Sequence, residues 1–288
     1  MAETAAAVTQ ALDRLLPCSN GPVGRVVDAM RYGSLNGGKR LRPFLVIESA
    51  RLFDAPDGGA LRAAAAVEMV HCYSLIHDDL PAMDDSDLRR GRPTAHREFD
   101  EATAILAGDG LLTEAFAVLA DPETDADPGI RADLVTHLSA AAGARGMVGG
   151  QMIDMSPQRA ELDLAGITEL QGLKTGALIT FSCEAGAILG RANPGQRAAL
   201  VAFAKDLGLA FQIVDDLLDA EGSAEQLGKP AGQDEALGKA TFVGQLGAEA
   251  ARDKAAEIIA RATQRLDLFA EKADLLRLAA RFVLERRS

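Results

Sequence analysis

The stretch HDDLPAMDD holds Asp78, Asp79, Asp84 and Asp85 within eight residues, and Arg89, Arg90 and Arg92 follow directly. Carboxylates this close repel by about 1 kcal/mol per close pair in water and by more in a drier cleft. A hard divalent cation relieves that repulsion, because oxygen ligands are what it takes. A second acidic group lies in AFQIVDDLLDA, where Asp215 and Asp219 are four residues apart and share one helix face. Gln212 and Asp216 extend that stripe, while Leu209, Ile213, Leu217 and Ala220 make the opposite, apolar side. A solvated acidic face tolerates such spacing, but this helix is too apolar to be peripheral. Its carboxylates are therefore expected to line an internal cleft. Two such clusters converging across a cleft suit Mg²⁺, which keeps waters and shares its sphere with substrate phosphates. Neither has the alternating ligands and central glycine of an EF-hand Ca²⁺ loop.

Basic groups supply the other half. GGKRLRP places Lys39, Arg40 and Arg42 beside two glycines at an expected helix start, an arrangement suited to a phosphate group. LKTGALI offers Lys174 and Thr175 at what reads as a helix turn, and GKPAGQDEALGKATF offers Lys229 and Lys239. Any one of these alone is an ordinary basic loop. Several of them beside two acidic faces point to two anionic ligands held at once.

Helices must position these groups. His71 lies seven residues before Asp78, so both fall on one face of a helix expected over about Leu61–Asp79. Pro81 disfavours helical geometry at Leu80 and ends that helix. The turn LPAM then swings Asp84 back toward Asp78. Alanine-rich blocks such as LRAAAAVEMV favour helix and close packing. No sustained alternation of β-branched residues argues for a sheet. Breaks fall at 54–59, 121–129, 191–196 and 221–235, and none resembles a long linker. The expectation is a single all-α domain over residues 1–288 with about ten helices.

The 288 residues carry 30 Lys+Arg against 42 Asp+Glu, a net charge of −12 that repels nucleic acid and anionic lipid. Cys18, Cys72 and Cys183 lie far apart and match no metal or redox spacing, which reads as reduced thiols in cytoplasm. The most apolar stretch, 177–190, is interrupted by Glu184 and too short to span a bilayer, so no stable membrane insertion is expected.

Taken together, GGKRLRP, DDLPAMDD…RRG…H, KTGAL and FQIVDDLLD…GK resemble the motif set of the trans-isoprenyl diphosphate synthases, from about Gly37 to the C-terminus. The first aspartate-rich motif, with two extra residues, is most similar to that of the bacterial farnesyl diphosphate synthases. The resemblance implies a helical bundle of the isoprenoid synthase type around a deep central cavity, usually a homodimer. It implies the joining of isopentenyl diphosphate to an allylic diphosphate with release of pyrophosphate. On this reading Asp78, Asp84 and Asp215 hold Mg²⁺, and Asp79, Asp216 and Asp219 are further ligands or partners of metal-bound water. Arg89, Lys174 and Lys229 face the leaving diphosphate. Lys39, Arg42, His71 and Arg90 match the isopentenyl diphosphate site, although a lone histidine on a helix is more often a structural hydrogen-bonder. Thr175 and Gln212 place dipoles where an allylic cation forms.

Product length turns on Tyr73 and Ser74. Both lie about 6–7.5 Å below Asp78 on the helix axis. Ser74 shares the aspartate's face, whereas Tyr73 lies about 140° around the wheel, so helix geometry alone does not place its ring in a cavity. The resemblance does, because members with an aromatic residue there tend to stop at fifteen carbons.

Two features depart from the family pattern: Phe242 stands where a tyrosine is common, and AEGSAEQLGK lacks a mid-loop aspartate. Arg286 or Arg287 in the terminal LERRS is a further candidate to close over isopentenyl diphosphate, although basic C-termini are commonly disordered. A geranylgeranyl diphosphate synthase shares every catalytic motif. A terpene cyclase has no need of GGKRLRP, and a non-catalytic partner subunit is expected to have lost its aspartates. A diiron bundle needs two Glu-x-x-His pairs, and Glu68 with His71 is a single candidate.

Overall fold

High alanine and leucine content makes helix the default, and proline, glycine and aspartate mark where each helix stops. A computed structural model describes residues 1–18, 20–221 and 240–286. In chain order the first helices are α1 (Ala2–Leu15), α2 (Gly24–Leu35), α3 (Leu41–Arg51) and α4 (Asp57–Asp78). A minimal hairpin follows, β1 (Leu88–Arg89) paired antiparallel with β2 (Arg92–Pro93), and then α5 (Ala95–Glu98). Next come α6 (Glu101–Ala120), α7 (Pro128–Ala142), α8 (Met147–Asp154) and α9 (Leu164–Gln171). One π-helical turn, Gly172–Gly176, leads into α10 (Ala177–Leu189) and the long α11 (Pro194–Glu221). The C-terminal part is α12 (Phe242–Leu246), α13 (Ala248–Arg265) and α14 (Asp274–Glu285).

The all-α expectation holds, with two differences. Helix α4 begins at Asp57 rather than near Leu61: extended Pro56 precedes it, and Asp57 in its first turn complements the helix dipole. The hairpin was not expected, and its two-residue strands are too short to show any alternation.

Two helices form the spine. α4 is buried on nearly all sides, from Gly59 through Ala63, Ala66 and Met69 to Ile76, which marks a core helix rather than a surface one. It packs on α3 and α6, and its cluster includes Leu111, Leu119 and Leu138. α11 anchors the second cluster, in which Phe203, Leu207 and Ile213 meet Ile258 and Ala262 of α13 and Ile179 of α10. Both acidic groups thus stand near the C-terminal ends of long core helices, whose packing fixes them.

α6 is the one described helix long and apolar enough to cross a membrane by length and composition. Its Ala104, Ala107, Leu111 and Ala115 are fully buried, whereas Ile105 and Leu106 face outward.

Candidate active site

Three adjoining cavities lie between these spines. A basic one of about 530 Å³ is lined by Lys39, Arg42, His71, Arg90, Gln212, Asp215 and Arg286. An apolar one of about 360 Å³ lies under Asp78, walled by Tyr73, Ser74, His77, Met83, Met147 and Met152. A polar one of about 230 Å³ is lined by Asp154, Arg159, Lys174, Gln212, Asp215 and Asp216. Thr175, on the π-helical turn, borders all three, and Lys174 borders the apolar and polar ones. π-turns are rare and cluster at functional sites.

The basic cavity is shaped by the loop before α3. Gly38 has φ +119°, and a Cβ there would stand 2.6 Å from the Arg90 guanidinium, so only glycine fits. Arg90 donates to the Gly37 carbonyl. Arg40 departs from a simple phosphate role. It is almost fully buried, donating to Glu68 Oε1 at 2.6 Å and to the Ser34 carbonyl at 2.6 Å, and so pins the loop to α4. That commitment also removes Glu68 from any diiron pair.

Arg42 is the better anion donor: the Nε of each arginine is buried without a hydrogen-bond partner among the described residues, but the Arg40 terminal nitrogens are committed to Glu68 and Ser34, whereas Arg42 lines both the basic and the apolar cavity. Burial holds His71 well below the usual imidazole range, and the positive field of Arg42, Arg90, Arg89 and Arg40 adds to it. His71 is therefore neutral at pH 7, and its N–H can donate to a phosphate oxygen without gaining charge. Burial, helped by Arg286, likewise lowers Lys39.

One prediction arises here. His71→Ala should raise KM for an anionic substrate bound in the basic cavity about tenfold or more, the worth of one hydrogen bond to a charged group. His71→Gln, which keeps a neutral donor, should raise it less. Equal KM values for the two variants would remove His71 from the donor set.

The acidic groups are arranged by the turn after α4. Asp84 N–H donates to the Asp78 carbonyl at 2.8 Å and Ser86 N–H to the Asp79 carbonyl at 3.2 Å, folding the second pair back over the first as expected. Burial pushes Asp78 up to about 6; Lys174 pulls the other way and Asp84 adds to the rise. Gln151 Nε2 donates to Asp78 Oδ1 at 2.9 Å.

Asp79, expected as a further metal ligand or a partner of metal-bound water, is engaged by Arg89 in this structure. It is buried, and both its oxygens accept from Arg89, with Nη2 at 2.7 Å and Nε at 2.8 Å. Arg89 is correspondingly turned onto Asp79. Asp216 Oδ2 accepts from the Phe242 N–H at 2.7 Å, tying α12 to α11. Asp215 is exposed and meets Arg286 Nη2 at 3.0 Å, while that guanidinium stacks 3.9 Å from the Phe211 ring. Asp219 is buried one turn further along α11. Lys229, Lys239 and Arg287 lie outside the described residues.

Among the described residues no three acidic, histidine or cysteine side chains are already gathered as a metal cage. Mg²⁺ needs none: one or two carboxylates suffice when waters and phosphate oxygens complete the sphere. Asp78 with Asp84 on one wall and Asp215 on the other fits that donor chemistry, and a cation there would favour the ionised form of Asp78 that burial opposes.

Two functional candidates escaped sequence reasoning. Gln151 and Asp154 lie three residues apart on α8, and Asp154 Oδ2 holds Lys174 Nζ at 2.6 Å. The signal was present in GGQMID, a polar pair at helical spacing on an otherwise apolar turn.

The Polyprenyl synthetase family model matches residues 24–276. The chain belongs to that family. It is similar to the farnesyl diphosphate synthase of Escherichia coli strain K12, 45% identical over 96% of this chain and 94% of the relative. A geranylgeranyl pyrophosphate synthase of Capsicum annuum is 41% identical over 96% of this chain and 75% of the relative. A solved FPP/GFPP synthase from Zymomonas mobilis superposes with a TM-score of 0.90 at 46% identity, covering 98% of this chain and 97% of that one. Membership makes the chain a trans-prenyltransferase, in agreement with the resemblance carried by its motifs.

Proposed function

We propose that the protein condenses isopentenyl diphosphate with dimethylallyl and then geranyl diphosphate, giving farnesyl diphosphate and pyrophosphate. One observation carries the reading: a basic cavity and an apolar cavity meet at Arg42, His71 and Thr175, and Asp78 and Tyr73 line the apolar one. The allylic C–O bond breaks with its electron pair on the diphosphate. The double bond of isopentenyl diphosphate then forms the new C–C bond, and the proton lost afterwards goes to the departing pyrophosphate. Mg²⁺ held by Asp78, Asp84 and Asp215 supplies positive charge where leaving-group charge develops. Lys174, oriented by Asp154, adds a preorganised donor on the same side. Arg42, His71, Lys39 and Arg90 hold the second diphosphate. Thr175 and Gln212 present oxygen dipoles to the allylic carbon, and the methionine-rich walls keep water from it.

Arg42→Ala should chiefly raise KM for isopentenyl diphosphate, because that donor binds ground and transition states alike, whereas Lys174→Ala should chiefly lower kcat. Steady-state kinetics with each substrate varied in turn decide it. Identical effects on the same substrate would overturn the partition.

We also propose a cytoplasmic homodimer. The outward face of α6 repeats Ala102, Ile105, Leu106, Thr113 and Ala117, with Glu101 at its start and Asp109 midway as exposed charges, a stripe suited to a second copy of itself. Sedimentation of wild type against Leu106→Glu tests this, with a monomeric wild type as the contrary result.

A longer product remains the second reading, because relatives named for twenty-carbon and mixed products match comparably well. Chromatography after incubation with isopentenyl and dimethylallyl diphosphates and Mg²⁺ should show a fifteen-carbon product. No condensation at all would overturn the function.

A further inference from the structure

α6 carries a glycine, Gly108, in the middle of its buried face, where alanine would serve helix stability better. The position is explained by one neighbour. A Cβ on Gly108 would stand 2.1 Å from His77 Nε2, 2.5 Å from Cδ2 and 2.8 Å from Cε1, so the Nε2 end of the imidazole abuts the bare backbone. His77 Nε2 is 3.0 Å from the Ile105 carbonyl. A carbonyl only accepts, so Nε2 carries the hydrogen and the ring is fixed in orientation. The other side of His77 faces the apolar cavity, where it meets Tyr73 edge to face, ring centroids 5.7 Å apart at 77°.

We propose that Gly108, His77 and Tyr73 form one stack that sets product length, with Gly108 acting through His77 as a positioning residue. This deepens the proposed function and rests on it. Tyr73 alone does not define the wall: its ring is held by His77, and His77 is held at its depth by the missing side chain of Gly108. A methyl group at 108 would displace the end of the imidazole from α6, and on this proposal the ring moves toward Tyr73 and the cavity that both line. That movement shortens the space for the prenyl chain. Removing the imidazole lengthens that space and frees Tyr73.

The test compares wild type, Tyr73→Ala, His77→Ala, Gly108→Ala and the His77→Ala/Gly108→Ala double variant. Each is incubated with isopentenyl and dimethylallyl diphosphates and Mg²⁺, and products are separated at equal low conversion. Gly108→Ala should raise the ratio of ten- to fifteen-carbon product about fivefold or more, the bias that overpacking a pocket produces. His77→Ala should raise the ratio of twenty- to fifteen-carbon product by a similar factor. The double variant should match His77→Ala, because the added methyl then has no ring to displace. A purely structural role would lower rate and leave these ratios alone. Wild-type ratios in His77→Ala, alongside a shifted Tyr73→Ala, would overturn the stack while leaving the proposed function intact. A double variant retaining the Gly108→Ala shift would overturn it too. If Gly108→Ala fails to fold, His77→Ala decides. A wild type that performs no condensation sinks the proposed function and this inference together.

Discussion

Asp78→Asn or Asp215→Asn should lower turnover by at least about 100-fold, since altering even the groups that support a metal's ligands costs 10–100-fold. The loss should fall on kcat, because the cation these carboxylates hold matters most where charge develops on the leaving diphosphate. The fold should survive. Asp215 is exposed, and Asp78 sits at the last residue of α4 with burial already opposing its charge, so a neutral amide is tolerated at both positions. Asparagine keeps the shape and the Gln151 contact within reach while removing the anionic oxygen. Steady-state rates across an Mg²⁺ titration, with circular dichroism to confirm helix content, give the answer. A variant with wild-type kcat at saturating Mg²⁺, or full wild-type activity in EDTA, would refute the assignment.

Tyr73→Ala should move the main product from fifteen toward twenty carbons, by a factor of about five to a hundred in the product ratio. That range corresponds to the roughly 1–3 kcal/mol by which an overpacked apolar pocket rejects an extra unit. Tyr73 is buried, and its ring forms part of the wall of the apolar cavity below Asp78. Burial pushes its hydroxyl up to about 12, with Asp78 adding, so the phenol stays neutral and acts by volume. Rates with dimethylallyl diphosphate should change little, since the diphosphate sites lie elsewhere. An unchanged product distribution would show that Tyr73 is not the floor.

How much of this was legible in the sequence depends on how far apart the interacting residues stand. The helix ending near Pro81, the fold-back of Asp84 and the helical face of Asp215 and Asp219 follow from local rules, and they appear in the structure. The pairing of Asp79 with Arg89 was not legible because Arg89 arrives by way of a hairpin whose two-residue strands leave no periodic trace. Arg40 was misread for a similar reason. Its left-handed backbone, φ +49°, turns the side chain inward toward Glu68, and nothing in GGKRLRP distinguishes it from Arg42. The helical wheel could not place Tyr73 because the cavity wraps more than one face of α4, taking in consecutive residues 73 and 74. Gln151 and Asp154 carry function through the groups they hold, and such residues have no motif of their own.

The buried pair between Arg40 and Glu68 has a bearing on how this protein can change over evolutionary time. It fastens the basic loop to α4 ten residues before Asp78, with His71, Tyr73, Ser74 and His77 on the same unbroken helix. One residue inserted or deleted between these fixed points would rotate everything beyond it by about 100° and shift it by about 1.5 Å. The segment can therefore vary in the identity of its side chains but not in its length. Single substitutions on this segment can reshape the cavity wall, while the spacing between the basic loop and Asp78 is fixed by the length of the helix.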